Sequence, residues 1–182
     1  MGRRHGATRH PLQGPLRYHP STRPHTNFLT VPVNGKSNEI AAIPELLDVL
    51  RLDGCIVTLD ARGCRKEIAA RIRAKGADYL LVLKANHGRA FGAVREHFER
   101  ACFGRGSGGR PAFDAFEESH GRLVRRRAFL DSAARGLRAL GGWPDLRAVL
   151  AVETIRSITG TYEVEAEIRY FLTSCRDPWR PG

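Results

Sequence analysis

Asp60 is a lone carboxylate at a seam: the apolar run "CIVTL" (55–59) stops there, and a basic amphipathic stretch, "ARGCRKEIAARIRAK", begins. Two readings of that acid stand side by side. At the carboxyl end of a strand it occupies the edge where open α/β sheets hold their ligands. Followed by Ala61-Arg62-Gly63, it could equally serve only to cap the next helix. Lys84, closing the similar run "DYLLVLK" (78–84), would share that edge. Other chemistry is thinly represented. Cys55, Cys64, Cys102 and Cys175 form no C-x-x-C pair and have no His at metal-ligand spacing, which points to free thiols in a reducing, cytoplasmic setting. Cys64 lies one helical turn past Asp60 but reads as a small buried side chain. "GRGSGGRP" (104–111) is rich in glycine, yet no strand leads into it and no Gly-Lys-Ser/Thr follows, so it is only a weak match to a phosphate loop.

The elements that must hold Asp60 follow from hydrophobic period. "FLTVPV" (28–33) reads as a short strand, at an edge because Pro32 cannot donate to a ladder. Ile43, Leu46, Leu47 and Leu50 recur at i, i+3, i+4, i+7, which predicts an amphipathic helix with Pro44 in its first turn, or inside it if the helix starts at Asn38. Residues 55–61 are expected to form a strand buried on both faces. A helix should follow, with Cys64, Ile68 and Ile72 on one face and Gly76 as a left-handed cap. After the strand at 78–84, a third helix is marked by Phe91, Val94, Phe98 and Cys102. This α-β-α-β-α order over 37–103 makes the two strands parallel, with Asp60 and Lys84 both at their carboxyl ends. Beyond a linker at 104–112, residues 113–174 alternate as antiparallel strands. There Glu117, Glu118 and Glu153 read as a solvated face.

At 182 residues with 42% hydrophobic side chains, one ordinary core is expected. The formal charge of +11 favours a polyanionic partner, although basic composition alone names no function. Residues 1–38 hold Arg3, Arg4, Arg9, Arg17, Arg23 and Lys36 and no acid. Residues 1–27 have no period and are expected to be a disordered basic arm, as are residues 175–182 at the other end. No run of 18 apolar residues exists, so no membrane-spanning helix is expected.

The residues also carry a resemblance. "GKSNEIAAIPELLDVLRLDGCIVTLDARGCRKEIAARIRAKGADYLLVLKANHG", then "ESHGRLVRRR", "WPDLRAVLAVE" and "EIRYFLTS" are similar to the middle of bacterial insertion-sequence DDE transposases of the H-repeat-associated, or ISAs-type, group. The likeness runs from about Val33 to Ser174. It implies a partial ribonuclease-H-like α/β fold (28–103) followed by a mainly antiparallel β region. It also implies DNA as partner, homo-oligomers among the relatives, and three acidic residues that hold two Mg²⁺ or Mn²⁺ ions about 3.5–4 Å apart for in-line phosphoryl transfer. Asp60 is similar to the second of these acids.

The chain departs from that pattern where the other two acids stand. The "Asp-Gly-Lys" context of the first is not matched in residues 1–32, and the "His-Trp-x-Ile-Glu-Asn" motif of the third is not reached before Gly182. The family also commonly has Gln where Arg65 and His87 stand. One carboxylate cannot hold two dications tightly, so the expectation is a truncated, frameshifted transposase without strand transfer of its own. DNA contact would outlast the chemistry through Lys36, Arg62, Arg65, Lys84, Asn86 and the run Arg122, Arg125, Arg126 and Arg127, although that run reads first as a solvated strand. The alternative is a basic DNA- or RNA-binding protein without catalysis. For RNA it would need stacking aromatics such as Tyr170 and Phe171 exposed on a sheet.

Overall fold

Strand and helix boundaries come from a computed structural model that describes residues 17–20, 27–30, 38–104, 109–119, 122–158 and 164–176. The chain divides into two compact units, Met1–Arg51 and Leu52–Gly182.

In the first unit, β1 (Arg17–Pro20) and β2 (Asn27–Thr30) pair antiparallel, from Arg17 opposite Thr30 to Pro20 opposite Asn27. The expected disordered arm 1–27 is corrected here: a strand lies inside it, because four rungs are too few to leave a readable period. The rest of that arm, at 1–16 and 21–26, lies outside the described residues. β2 covers the start of the strand expected at 28–33, and residues 31–33 lie outside the described residues. Helix α1 (Asn38–Val49) carries Pro44 in its interior, where the ring removes the N–H that would bond the carbonyl of residue 40. Ala42 and Leu47 are its buried residues, while Ile43, Leu46 and Leu50 are half-buried.

The second unit is a mixed α/β assembly around one six-stranded sheet, ordered β3-β4-β8-β7-β6-β5. The strands are β3 (Ile56–Leu59), β4 (Asp78–Leu83), β5 (Phe113–Ser119), β6 (Arg122–Asp131), β7 (Ala148–Ile158) and β8 (Val164–Thr173). Between the first two runs α2 (Lys66–Ala74), and after β4 runs α3 (Gly88–Phe98), which passes into a π-turn over Glu99–Phe103. β3 and β4 are parallel, joined by the crossover through α2; all other pairings in this sheet are antiparallel. The antiparallel strands do not form a separate region. β4 bonds directly to β8, Leu80 opposite Thr173 and Leu83 opposite Tyr170, so β3 and β4 share one sheet with the strands of 113–174.

α2 lies against β4 and α3 against β8. Cys64, Ile68, Ala69 and Ile72 from the first helix and its lead-in, Val94 and Phe98 from the second, and Tyr79, Leu81, Leu83, Val149, Tyr170 and Leu172 from the sheet are essentially sealed from solvent. Each large member contributes about 1.5–3 kcal/mol by leaving water. The expectation that β3 is buried on both faces fails. Its residues alternate between exposed and half-buried, with Ile56 56% exposed, because β3 is the outermost strand of the sheet. Val164 and Ala166 are exposed as well, so the alternation read from the β8 sequence becomes burial only from Ile168 inward.

Candidate functional site

Asp60 is the first residue beyond the carboxyl end of β3. Its Oδ1 accepts the backbone N–H of Arg62 at 3.0 Å and of Gly63 at 3.4 Å, and its carbonyl accepts Gly63 N–H at 3.1 Å. The chain doubles back so tightly that a Cβ on Gly63 would stand 2.8 Å from the Leu59 Cβ. The acid therefore fixes the turn at 60–63 and not the helix: α2 begins at Lys66, and its N-cap, Arg65, makes no side-chain cap. Oδ2 has no partner among the described residues. The result is an exposed carboxylate held rigidly by one oxygen, with the other open to a ligand.

The loop beyond β4 closes on this turn. Lys84 follows β4 directly, and Asn86 in the next 3-10 turn donates its Nδ2–H to the Ala61 carbonyl at 3.1 Å. Arg65 and Asn86, both singled out from sequence, line a groove of about 640 Å³ together with Lys66, His87, Arg89 and Trp143. None of the last four was among the site residues expected from the sequence. Trp143 reaches the groove from the far side of the linker, and no spacing in the chain announces that. Arg62 and Lys84 stand at the same sheet edge but are not among the groove's lining residues.

The arginine run on β6 is placed elsewhere, separated from β3 by three strands. Arg125 is held by Asp114 through two bonds of 3.0 and 2.7 Å and lies 4.8 Å above the Phe116 ring. The shared hydrogen bond raises the Arg125 pKa and lowers that of Asp114. Arg126 is ion-paired with Glu117, and Arg127 with Glu153 at 2.5 Å. Glu153 was expected on a solvated face. It is only 9% exposed, because its cross-strand neighbour is Arg127 and the pair neutralises itself inside the sheet. Arg122 is exposed, and Lys36 lies outside the described residues. Tyr170 is 2% exposed and Phe171 half-buried, so these two aromatics do not present the stacking surface that an RNA partner would need.

A two-ion centre needs several hard oxygen ligands at one point. Among the described residues no group of three or more His, Cys, Asp or Glu side chains is arranged to hold a metal. Asp78 is at the opposite end of its strand, engaged by Arg73 at 2.5 Å. Glu167, close enough to Lys84 to feel its charge, is bound by Arg169 at 2.8 Å, and that bond chiefly lowers its pKa. The donor set present does not fit a two-ion centre. The four cysteines are free, and burial pushes the Cys64 thiol up to about 12, which leaves it inert beside the site. No helix of the described residues is long and apolar enough to cross a membrane.

Comparison with known proteins gives this geometry its context. The family model described as "Transposase DDE domain" matches residues 9–130. The "Uncharacterized protein in dhlA 3'region" of Xanthobacter autotrophicus is 36% identical over 78% of this chain and 46% of its own length. YhhI of Escherichia coli (strain K12), whose name places it with the H repeat-associated transposases, is 36% identical over 76% of this chain and 37% of its own. YncI of the same strain, also named for a transposase, is 47% identical over 53% of this chain and 38% of its own. The chain thus spans less than half the length of these relatives, and no solved structure matches it. Members of such a family depend on a divalent metal and act on DNA. With a family model covering most of the chain and curated relatives of one kind, the protein belongs to the DDE transposases, in their H repeat-associated group.

Proposed function

We propose that this chain forms the part of an insertion-sequence transposase that carries the second of three metal-binding carboxylates, Asp60, and that it meets DNA in the cytoplasm along the carboxyl edge of β3 and β4. One observation carries the reading. Asp60 stands at the end of a parallel strand with one oxygen locked by backbone amides and the other unpartnered among the described residues. A free carboxylate oxygen on a rigid mount is what a Mg²⁺ or Mn²⁺ ion takes as a hard ligand. A ribonuclease-H-like core is supported by the same facts: two parallel strands joined by a helix, with the acid at their carboxyl end.

The polypeptide of 182 residues is without DNA cleavage by itself in this reading. Glu167, whose carboxylate feels the Lys84 charge, is committed to Arg169, and one carboxylate leaves the charge of a phosphoryl-transfer transition state largely unmet. DNA contact persists, because neutralising phosphates needs only cations on one side. Arg62, Arg65 and Lys84 supply those cations and Asn86 a neutral hydrogen-bond donor, with Lys36 and Arg122 as further contacts, whereas Arg125 is already neutralised by Asp114.

The test is a binding and nicking assay on a duplex carrying the element end, in Mg²⁺ or Mn²⁺, with the native chain and Asp60→Ala. The expected result is salt-sensitive binding without nicking, and an affinity that Asp60→Ala leaves within about twofold. Metal-dependent nicking abolished by Asp60→Ala would show a complete centre and overturn the inactive reading. Failure to bind DNA even at low salt would overturn DNA as the partner.

A further inference from the structure

Three separate parts of the chain wall the groove beside Asp60. The start of α2 contributes Arg65 and Lys66, the turn after β4 and the start of α3 contribute His87 and Arg89, and the segment after the 3-10 turn Arg138–Leu140 contributes Trp143. Its charge is one-sided: three cations against Glu67. Several arginines elsewhere in the protein are tied down. Arg73, Arg125, Arg127 and Arg169 each hold a carboxylate. Arg65 and Arg89 have no such partner among the described residues. Lys66 gives one N–H to the Gly141 carbonyl at 2.6 Å, which fixes its ammonium at the groove and leaves two donors for a ligand.

The surroundings reinforce that charge. Neither α2 nor α3 has a side-chain cap at its first turn, so the positive ends of both helices add to the field of the cations. Trp143 is 8% exposed and meets His87 edge-on at 6.1 Å between ring centroids, making a stiff apolar wall. Asn86, bonded to Ala61, ties the rim to the turn that holds Asp60. A cationic lining excludes a metal ion, and a volume in the ~300–1,000 Å³ range of organic-ligand sites exceeds what a single inorganic ion needs.

We infer that this groove seats the phosphodiester backbone of DNA, gripped by Arg65, Lys66 and Arg89. The inference rests on the DNA reading above and goes further: it assigns the grip to this groove and to two cations that the sequence pattern passes over. Anchored there, the strand is held alongside the turn at 60–63.

The full chain is titrated with a duplex of arbitrary sequence over a series of salt concentrations. Arg65→Ala and Arg89→Ala should each weaken binding several-fold and flatten the slope of log K against log salt by about 0.9, while Arg89→Lys keeps most of both. Arg100→Ala, which removes a cation paired with Glu96 at 3.5 Å, should change neither. With Trp179 replaced by Phe, Trp143 fluorescence should respond to DNA and not to inorganic phosphate. Tight DNA binding with native slopes in both alanine variants, or with silent Trp143, overturns the groove and leaves the DNA reading standing. A native chain that binds no DNA overturns both.

Discussion

Ser174 shows how a single hydroxyl can hold two elements together. Buried at 2% exposure, its Oγ accepts the Tyr79 N–H at 3.0 Å and donates to Asp78 Oδ1 at 2.7 Å, while Arg73 bonds the same Asp78 and Asp145. Ser174→Ala leaves the sealed Tyr79 amide without an acceptor, a loss of about 1–3 kcal/mol that urea unfolding would register as a lower midpoint with an unchanged slope. Asp131 supplies the acid sensitivity. Burial would raise its pKa, but the hydrogen bond from His97 at 2.7 Å and the amides of Ala133 and Ala134 outweigh burial, and the net shift is downward. A carboxyl lowered in the folded state stabilises above its ordinary value near 3.8, and that contribution vanishes as pH falls through the folded pKa. Asp131→Asn should therefore reduce stability near neutrality and flatten its decline between about pH 5 and pH 2 in acid-unfolding curves.

β3 and β4 read almost alike in sequence and are treated very differently by the fold. Leu81 on β4 is fully buried, so Leu81→Ala should cost about 2–5 kcal/mol in chemical denaturation. Ile56 on β3 is more than half exposed, and Ile56→Thr should stay within about 0.5 kcal/mol of the native chain. The contrast marks the limit of what the sequence discloses. α2, β4 and α3 were legible because Ile68, Ile72, Val94 and Phe98 repeat with the helical period and Gly76, at φ +72°, ends α2 where a Cβ would run into the Asp53 carboxylate. The apolar run of β3 says only that it can be buried. Whether it is depends on its neighbours, which are set by pairings far along the chain. Asp60 was legible as a strand-end acid, but whether it capped a helix or a turn depended on where α2 starts. Arg89 and Trp143 were not legible as partners at all, since only tertiary closure brings them together.

Over the whole molecule, charge is unevenly placed. Residues 1–38 carry six cations and no acid, more than half of the formal +11. Removing them should lower DNA affinity at low salt and reduce the salt slope, while Arg65→Ala and Arg89→Ala keep their relative effects in anisotropy titrations. In the unit Leu52–Gly182, helices cover the β4–β8 part of the sheet, whereas Phe113, Phe116, Leu123 and Val164 toward its far end remain exposed. The ion pairs of Arg125, Arg126 and Arg127 lie on those far strands, and paired charges there keep an open sheet from joining others edge to edge.

The position of β8 governs when the protein can take shape during synthesis. It is made long after β4, yet it sits inside the sheet and bonds β4 through groups 94 to 96 residues away. At ribosomal speeds of about 5–20 residues per second, β4 waits roughly 5 to 20 s with its inner edge bare. Until then β3, α2 and β4 can form only a local nucleus, and a nascent chain released before residue 164 has no means of closing it.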